Sequence, residues 1–152
     1  MSEAEGLYDV VRRVRPLHLL AARIVTDSLA AEQVTMGIRA VLEVLRDGPR
    51  SVPDVGRDLL MPRQVVQRLC DQAQQLGLVE RRPNPAHRRS QLIALTAEGE
   101  RAFDRIHTAE LRNLSSIAAE LLADDIATAR RVLEVLMTGM QRLAEVEGEE
   151  SQ

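Results

Sequence analysis

The stretch Pro83-Asn84-Pro85-Ala86-His87-Arg88-Arg89 limits the architecture more than any other part of the chain. Two prolines around a turn-prone asparagine cannot continue a helix. Residues 78–82 lie before it and residues 91–95 after it, both short runs of strand character. Together they predict a two-stranded hairpin with an arginine-rich tip. Most of the remaining chain follows a helical period, so the hairpin is an appendage on a mainly α fold.

The helices read from their apolar spacing. Leu7, Val10, Val11, Val14, Leu17, Ala21, Ile24 and Val25 form one face of an N-terminal helix, with Pro16 inside it. Proline predicts a kink near residues 12–15, or a new helix starting at Pro16. A second helix is expected over residues 35–46. Thr35 is its N-cap, Ile38, Val41, Leu42 and Leu45 are its buried face, and Asp47-Gly48-Pro49 is its stop. Ser51 and Asp54 read as a capping box for a short helix ending near Leu59. Pro62 opens the next helix, residues 62–76, closed by Gly77. It buries Val66, Leu69, Cys70 and Ala73 and exposes Arg63, Gln64, Gln67, Arg68 and Asp71. After the hairpin, Thr96 caps a long helix to about Leu122, and Asp124 or Asp125 starts the last one.

Charge is distributed unevenly. Residues 39–91 hold ten arginines against six acids, while residues 1–38 hold four against five and residues 92–152 six against twelve. A basic middle between acidic flanks points the middle at a polyanion. All twenty basic side chains are arginine, so each can make bidentate phosphate or base contacts. Tyr8 and Phe103 are the only aromatic residues, which removes base stacking as a binding mode.

Two short helices followed by strand, arginine-tipped loop and strand make a winged helix-turn-helix. The second helix of such a motif enters the major groove, where base edges present distinct donor and acceptor patterns. Arg63, Gln64, Gln67 and Arg68 supply matching side chains at helical spacing. Arg88 and Arg89 at the wing tip suit an adjacent minor groove of strong negative potential.

The run from Val34 to Gly99 resembles regulators of the multiple antibiotic resistance regulator (MarR) family. The resemblance is carried by VTMGIRAVLEVL, GPRSVPDVGRDLLMPRQVVQRLCDQAQQLGLVERR and NPAHRRSQLIALTAEG, with GLVER, RRS and LTAEG the most family-like segments. It implies a homodimeric, DNA-binding regulator, a repressor acting at a pseudo-palindromic operator of double-stranded DNA. It also implies dimerisation helices at residues 1–33 and 100–147 around a DNA-binding lobe at 34–99, followed by a frayed acidic tail at 148–152. The whole chain of 152 residues is expected to be one such domain. The family's recognition-helix contacts fall on Pro62, Arg63, Gln64, Gln67 and Arg68. Its wing motif, usually Asp-x-Arg, falls on His87, Arg88 and Arg89, with histidine in place of the aspartate. Release by a small lipophilic or phenolic effector, or by oxidation, is a further implication.

His18 lies in the N-terminal apolar stripe and reads either as an effector contact, together with Arg15, or as an interface histidine. Cys70 faces the core, where a thiol is unreactive. The three histidines and one cysteine lack metal-ligand spacing, so no metal or other cofactor is expected. No phosphate loop or nucleophile elbow appears, and the chain reads as a non-enzyme. The acidic start, the single cysteine and the lack of a long apolar run predict a cytoplasmic protein without membrane contact. The competing reading is a winged-helix protein-interaction adaptor, which has no need for positive charge gathered on helix and wing.

Overall fold

Capping and apolar spacing set the helices in the order expected, with two elements added. The computed structural model describes the backbone of residues 1–150 and the side chains of residues 1–145. Its elements are α1 (Glu3–Ile24), α2 (Thr26–Ala31), α3 (Met36–Leu45), β1 (Arg50–Ser51), α4 (Val52–Leu59), α5 (Arg63–Gln75), β2 (Val79–Pro83), β3 (Gln91–Leu95), α6 (Ala97–Ala118) and α7 (Ala123–Glu150). The chain divides into two compact units, residues 1–111 and 112–152. Of the acidic tail expected to fray at 148–152, residues 148–150 continue helix α7, and residues 151–152 lie outside the described residues.

Within the first unit, Thr35 caps α3 by accepting from the Ile38 amide at 3.2 Å. The four apolar residues this helix was expected to bury, Ile38, Val41, Leu42 and Leu45, are all in the core. Ser51 caps α4 by accepting from the Asp54 amide at 3.3 Å. The return contact differs from the capping box expected there. The Ser51 hydroxyl, and not its amide, meets the Asp54 carboxylate, at 2.6 Å. Ser51 belongs to strand β1, where it stands opposite Leu92. A full capping box does form at α1, between Ser2 and Glu5.

The wing is larger than the expected two strands. β1, β3 and β2 form a three-stranded antiparallel sheet in that order. The hairpin register pairs Val79 with Leu95, Arg81 with Ile93 and Pro83 with Gln91. Pro83 ends β2, where a missing amide costs the ladder least.

The core is aliphatic around one aromatic ring. Val41, Leu42, Val55, Val66, Cys70, Ile93, Phe103 and Ile106 are its largest fully buried side chains. Arg39 of α3 binds Glu110 of α6 through two nitrogens and reaches Glu43 as well. The guanidinium groups of Arg39 and Arg46 lie 5.5 and 4.9 Å from the Phe103 ring centre. His107 stacks on the same ring at 5.7 Å. These contacts fasten the first four turns of α6 to α3.

α1 runs unbroken through Pro16, so no second helix starts there. Proline removes one backbone bond, and along an exposed helix water can take the freed carbonyl. The break falls instead at Val25, before α2. α1 buries no residue. In the second unit none of the described residues is buried either, and Leu121, Leu133, Met137, Met140 and Leu143 stand exposed. No helix among the described residues is long and apolar enough to cross a membrane.

Candidate nucleic-acid interface

α5 owes its orientation to its own pattern. Val66, Leu69, Cys70 and Ala73 are buried, and this turns Arg63, Gln64 and Arg68 to the solvent, with Gln67 half-buried between them. Pro62 is the N-cap, its fixed backbone leading into the first turn. Gly77 closes the helix at φ +73°, a left-handed conformation that favours glycine. Arg63, Gln64, Gln67, Arg68 and Asp71 line a shallow depression on the exposed face.

The wing tip is shaped by backbone bonds. Asn84 accepts from the Ala86 amide through its side chain at 3.0 Å. The His87 amide donates to the Asn84 carbonyl at 3.3 Å, and the Ser90 amide to the His87 carbonyl at 3.1 Å. Arg88 and Arg89 are therefore the two central residues of a tight turn, and both are exposed, as is His87. Backbone bonds and the Asn84 side chain hold the turn, with no carboxylate contact to it among the described residues.

The ion pairs sort the arginines of the basic middle. Arg50 pairs with Asp58, Arg57 with Asp54, Arg81 with Asp71 and Arg82 with Glu80. Arg39 is held by Glu110 and Glu43, and Arg46 by Asp104. Among the described residues, Arg63, Arg68, Arg88 and Arg89 have no carboxylate partner. Within residues 39–91, the four arginines singled out by position on helix and wing are the four left without a carboxylate partner. Asp54 shows the opposite condition. The Ser51 hydroxyl first, then Arg57 and Arg50 nearby, hold its carboxyl below the usual range, and it stays ionised.

One set of contacts does not follow from helical spacing alone. The Gln67 side-chain amide donates to Asp71 at 3.2 Å, and Asp71 in turn holds Arg81 of β2. Asp71 shares the exposed face of α5, but its partner comes from another element, which spacing alone does not reveal. Cys70 lies 1% exposed behind this face, and burial pushes its thiol up to about 11. It stays protonated at neutral pH and packs as a small apolar side chain.

The effector candidates Arg15 and His18 are exposed on α1. A separate, mostly apolar pocket opens where α1 breaks into α2, lined by Leu19, Ala22, Arg23, Thr26, Leu29, Ala30, Val34 and Met36. Neither Arg15 nor His18 lines it. Leu19, Ala22 and Arg23 occupy the face of α1 next to His18, at a spacing of three and four that the sequence does contain. Among the described residues, no group of histidine, cysteine or acidic side chains could hold a metal ion.

A family model described as the MarR family matches residues 38–90. An uncharacterized protein of Mycobacterium tuberculosis is 39% identical over 77 residues, which are 51% of this chain and 54% of that protein. The match thus spans about half the length of the curated relatives. Among solved structures, CouR from Rhodococcus jostii RHA1 bound to p-coumaroyl-CoA has a TM-score of 0.76 at 19% identity, over 84% of this chain and 91% of that one. A mutant of MarR from E. coli complexed with operator DNA has a TM-score of 0.72 at 22% identity, over 90% and 99%. At such identities these two share the fold. A crystal structure of a MarR family transcription regulator matches with a TM-score of 0.78 at 32% identity, over 94% of this chain and 95% of that one. With near-complete coverage at that identity, and the winged helix-turn-helix in place, the chain belongs to the MarR family of transcription regulators.

Proposed function

We propose that this chain is a homodimeric, sequence-specific DNA-binding regulator, a cytoplasmic repressor of a pseudo-palindromic operator, released by a small lipophilic or phenolic effector. The observation that carries the DNA reading is the set of four unpaired arginines on α5 and the wing, with two glutamines between them. Pro62, Arg63, Gln64, Gln67 and Arg68 face the major groove, and His87, Arg88 and Arg89 lie against the flanking minor groove. Arginines contact phosphate and set register, while the glutamines read base edges. The lobe at residues 34–99 binds DNA, and residues 1–33 and 100–147 dimerise.

Arg89→Ala tests the wing. Phosphate contact releases counterions, so its loss should weaken binding and lower the salt slope by about one unit per protomer. Unchanged affinity and slope would take the wing off the DNA and favour the adaptor reading.

The dimer reading is supported by Leu7, Val10 and Val14 of α1 and Leu133, Met137 and Met140 of α7, all exposed in the single chain. Monomers rarely leave so much apolar surface uncovered, and a two-fold dimer would cover it. Sedimentation should give a dimer at micromolar concentration, and a stable monomer there refutes it. The apolar pocket at the α1–α2 break suits an effector, in keeping with the acyl-CoA ester bound by CouR. Arg23 on its lining offers a cation to an acidic group, with Arg15 and His18 outside the pocket as secondary contacts.

A further inference from the structure

An acidic side chain on a surface that meets phosphate needs a physical reason. Asp71 lies one turn after Gln67 on α5, its side chain 53% exposed. Its Oδ1 accepts from Gln67 Nε2 at 3.2 Å and from Arg81 Nη2 at 2.5 Å. Arg81 stands on β2, opposite the buried Ile93, and its Nε donates to Gln74 Oε1 at 3.0 Å. The contacts run from Gln74 through Arg81 and Asp71 to Gln67, and they tie the recognition helix to the first strand of the wing hairpin.

The chemistry of the carboxylate decides what Gln67 presents outward. An ionised aspartate only accepts hydrogen bonds. The glutamine amide has two N–H donors at one end and a carbonyl acceptor at the other. Beside Asp71 it must turn its nitrogen inward, because the reversed amide sets oxygen against oxygen. What remains for a base is Oε1 together with the second N–H. That pair matches the N6 and N7 edge of adenine, and the acceptor alone suits the amino group of cytosine. Guanine offers only acceptors, O6 and N7, on its major-groove edge. We propose that Asp71 is a specificity-determining positioning residue: through Gln67 it favours adenine over guanine at one base, because guanine can take the second N–H but sets an acceptor against Oε1, and by holding Arg81 it keeps a cation from binding phosphate indiscriminately. The inference rests on the DNA reading given above and deepens it.

Selection from a randomised duplex pool with the full-length wild-type protein supplies the preferred site. Gln67→Ala then marks the base pair whose discrimination disappears. At that pair the wild type should reject guanine by about 10-fold to 100-fold. In Asp71→Asn the neighbour both donates and accepts, so the Gln67 amide turns either way and the rejection should shrink to about twofold or less. Binding to a scrambled duplex should tighten at the same time, since an anion is gone and Arg81 is released. A defect of folding moves both readings toward loss. Asp71→Ala, which also removes the acceptor, should behave like Asp71→Asn. Guanine rejection retained in both Asp71 variants overturns the inference and leaves the DNA reading standing. Equal loss on every duplex with a lowered melting temperature overturns it too, as does a Gln67→Ala protein that discriminates like the wild type. A wild type that selects no sequence overturns the DNA reading and this inference with it.

Discussion

Alanine at Arg63, Arg68, Arg88 and Arg89 together should lower DNA affinity by about 1000-fold or more at moderate salt. In a dimer the change removes eight cations from the surface that faces the duplex. If all of them meet phosphate, the slope of log affinity against log salt flattens by about seven units, at roughly 0.9 per contact. The fold should be indifferent. All four side chains are exposed and none has a carboxylate partner among the described residues, so folding stability should change by no more than about 0.5 kcal/mol. The neighbouring arginines are a different matter. Arg50, Arg57, Arg81 and Arg82 are paired at the surface with Asp58, Asp54, Asp71 and Glu80, so each already has a neighbouring carboxylate that competes with phosphate. Filter binding over a salt series, with melting curves alongside, reads both quantities. A fourfold variant that binds within about tenfold of the wild type would place the DNA elsewhere and favour the adaptor.

The comparison of paired with unpaired arginines marks the limit of what spacing alone can convey. The buried faces of α3 and α5 were legible residue by residue, because an aliphatic core leaves a clean helical period and because Thr35 and Gly77 punctuate it. The hairpin was legible from its prolines and the change of period. β1 was not, since two residues carry no period and their pairing with Leu92 and Ile93 arises only when the chain folds. α2 was hidden because the apolar stripe of α1 runs on to Val25 without a glycine or proline at the break. The excess of positive charge could be counted, but its placement depends on pairs such as Arg39 with Glu110, far apart in the chain. Asp71 and Arg81 belong to the same class: ten positions separate them, and the turn at Gly77 brings them together. The pocket forms only where α1 breaks into α2, so apolar spacing alone does not mark the face of α1 beside His18.

Gly99→Ala should cost about 3 kcal/mol or more, a large share of the stability of a domain this size. The cause is space, because Gly99 is buried in the first turns of α6 without an unusual backbone angle. A Cβ there would stand 1.9 Å from the Leu78 carbonyl oxygen and 2.9 Å from its carbon. That oxygen cannot easily retreat. It accepts from the Thr96 amide at 3.1 Å, while the Thr96 hydroxyl donates to the Gly77 carbonyl at 2.6 Å and accepts from the Gly99 amide at 3.0 Å. The end of α5, the start of β2 and the start of α6 are thus closed on one another at a single point. Gly37→Ala is the informative contrast. Its Cβ would meet Leu69 Cδ2 at 2.8 Å, but that is the far end of a flexible side chain, and a change of rotamer should hold the cost near 1 kcal/mol. Urea unfolding of the two variants decides the matter, and equal losses would show that the carbonyl yields as readily as the leucine does. The consequence reaches the proposed interface as well. Leu78 precedes β2, so any shift that admits a methyl group at Gly99 moves Arg81, and with it Asp71 and Gln67, before the protein unfolds. A folded fraction of Gly99→Ala should therefore lose base discrimination ahead of general affinity for DNA.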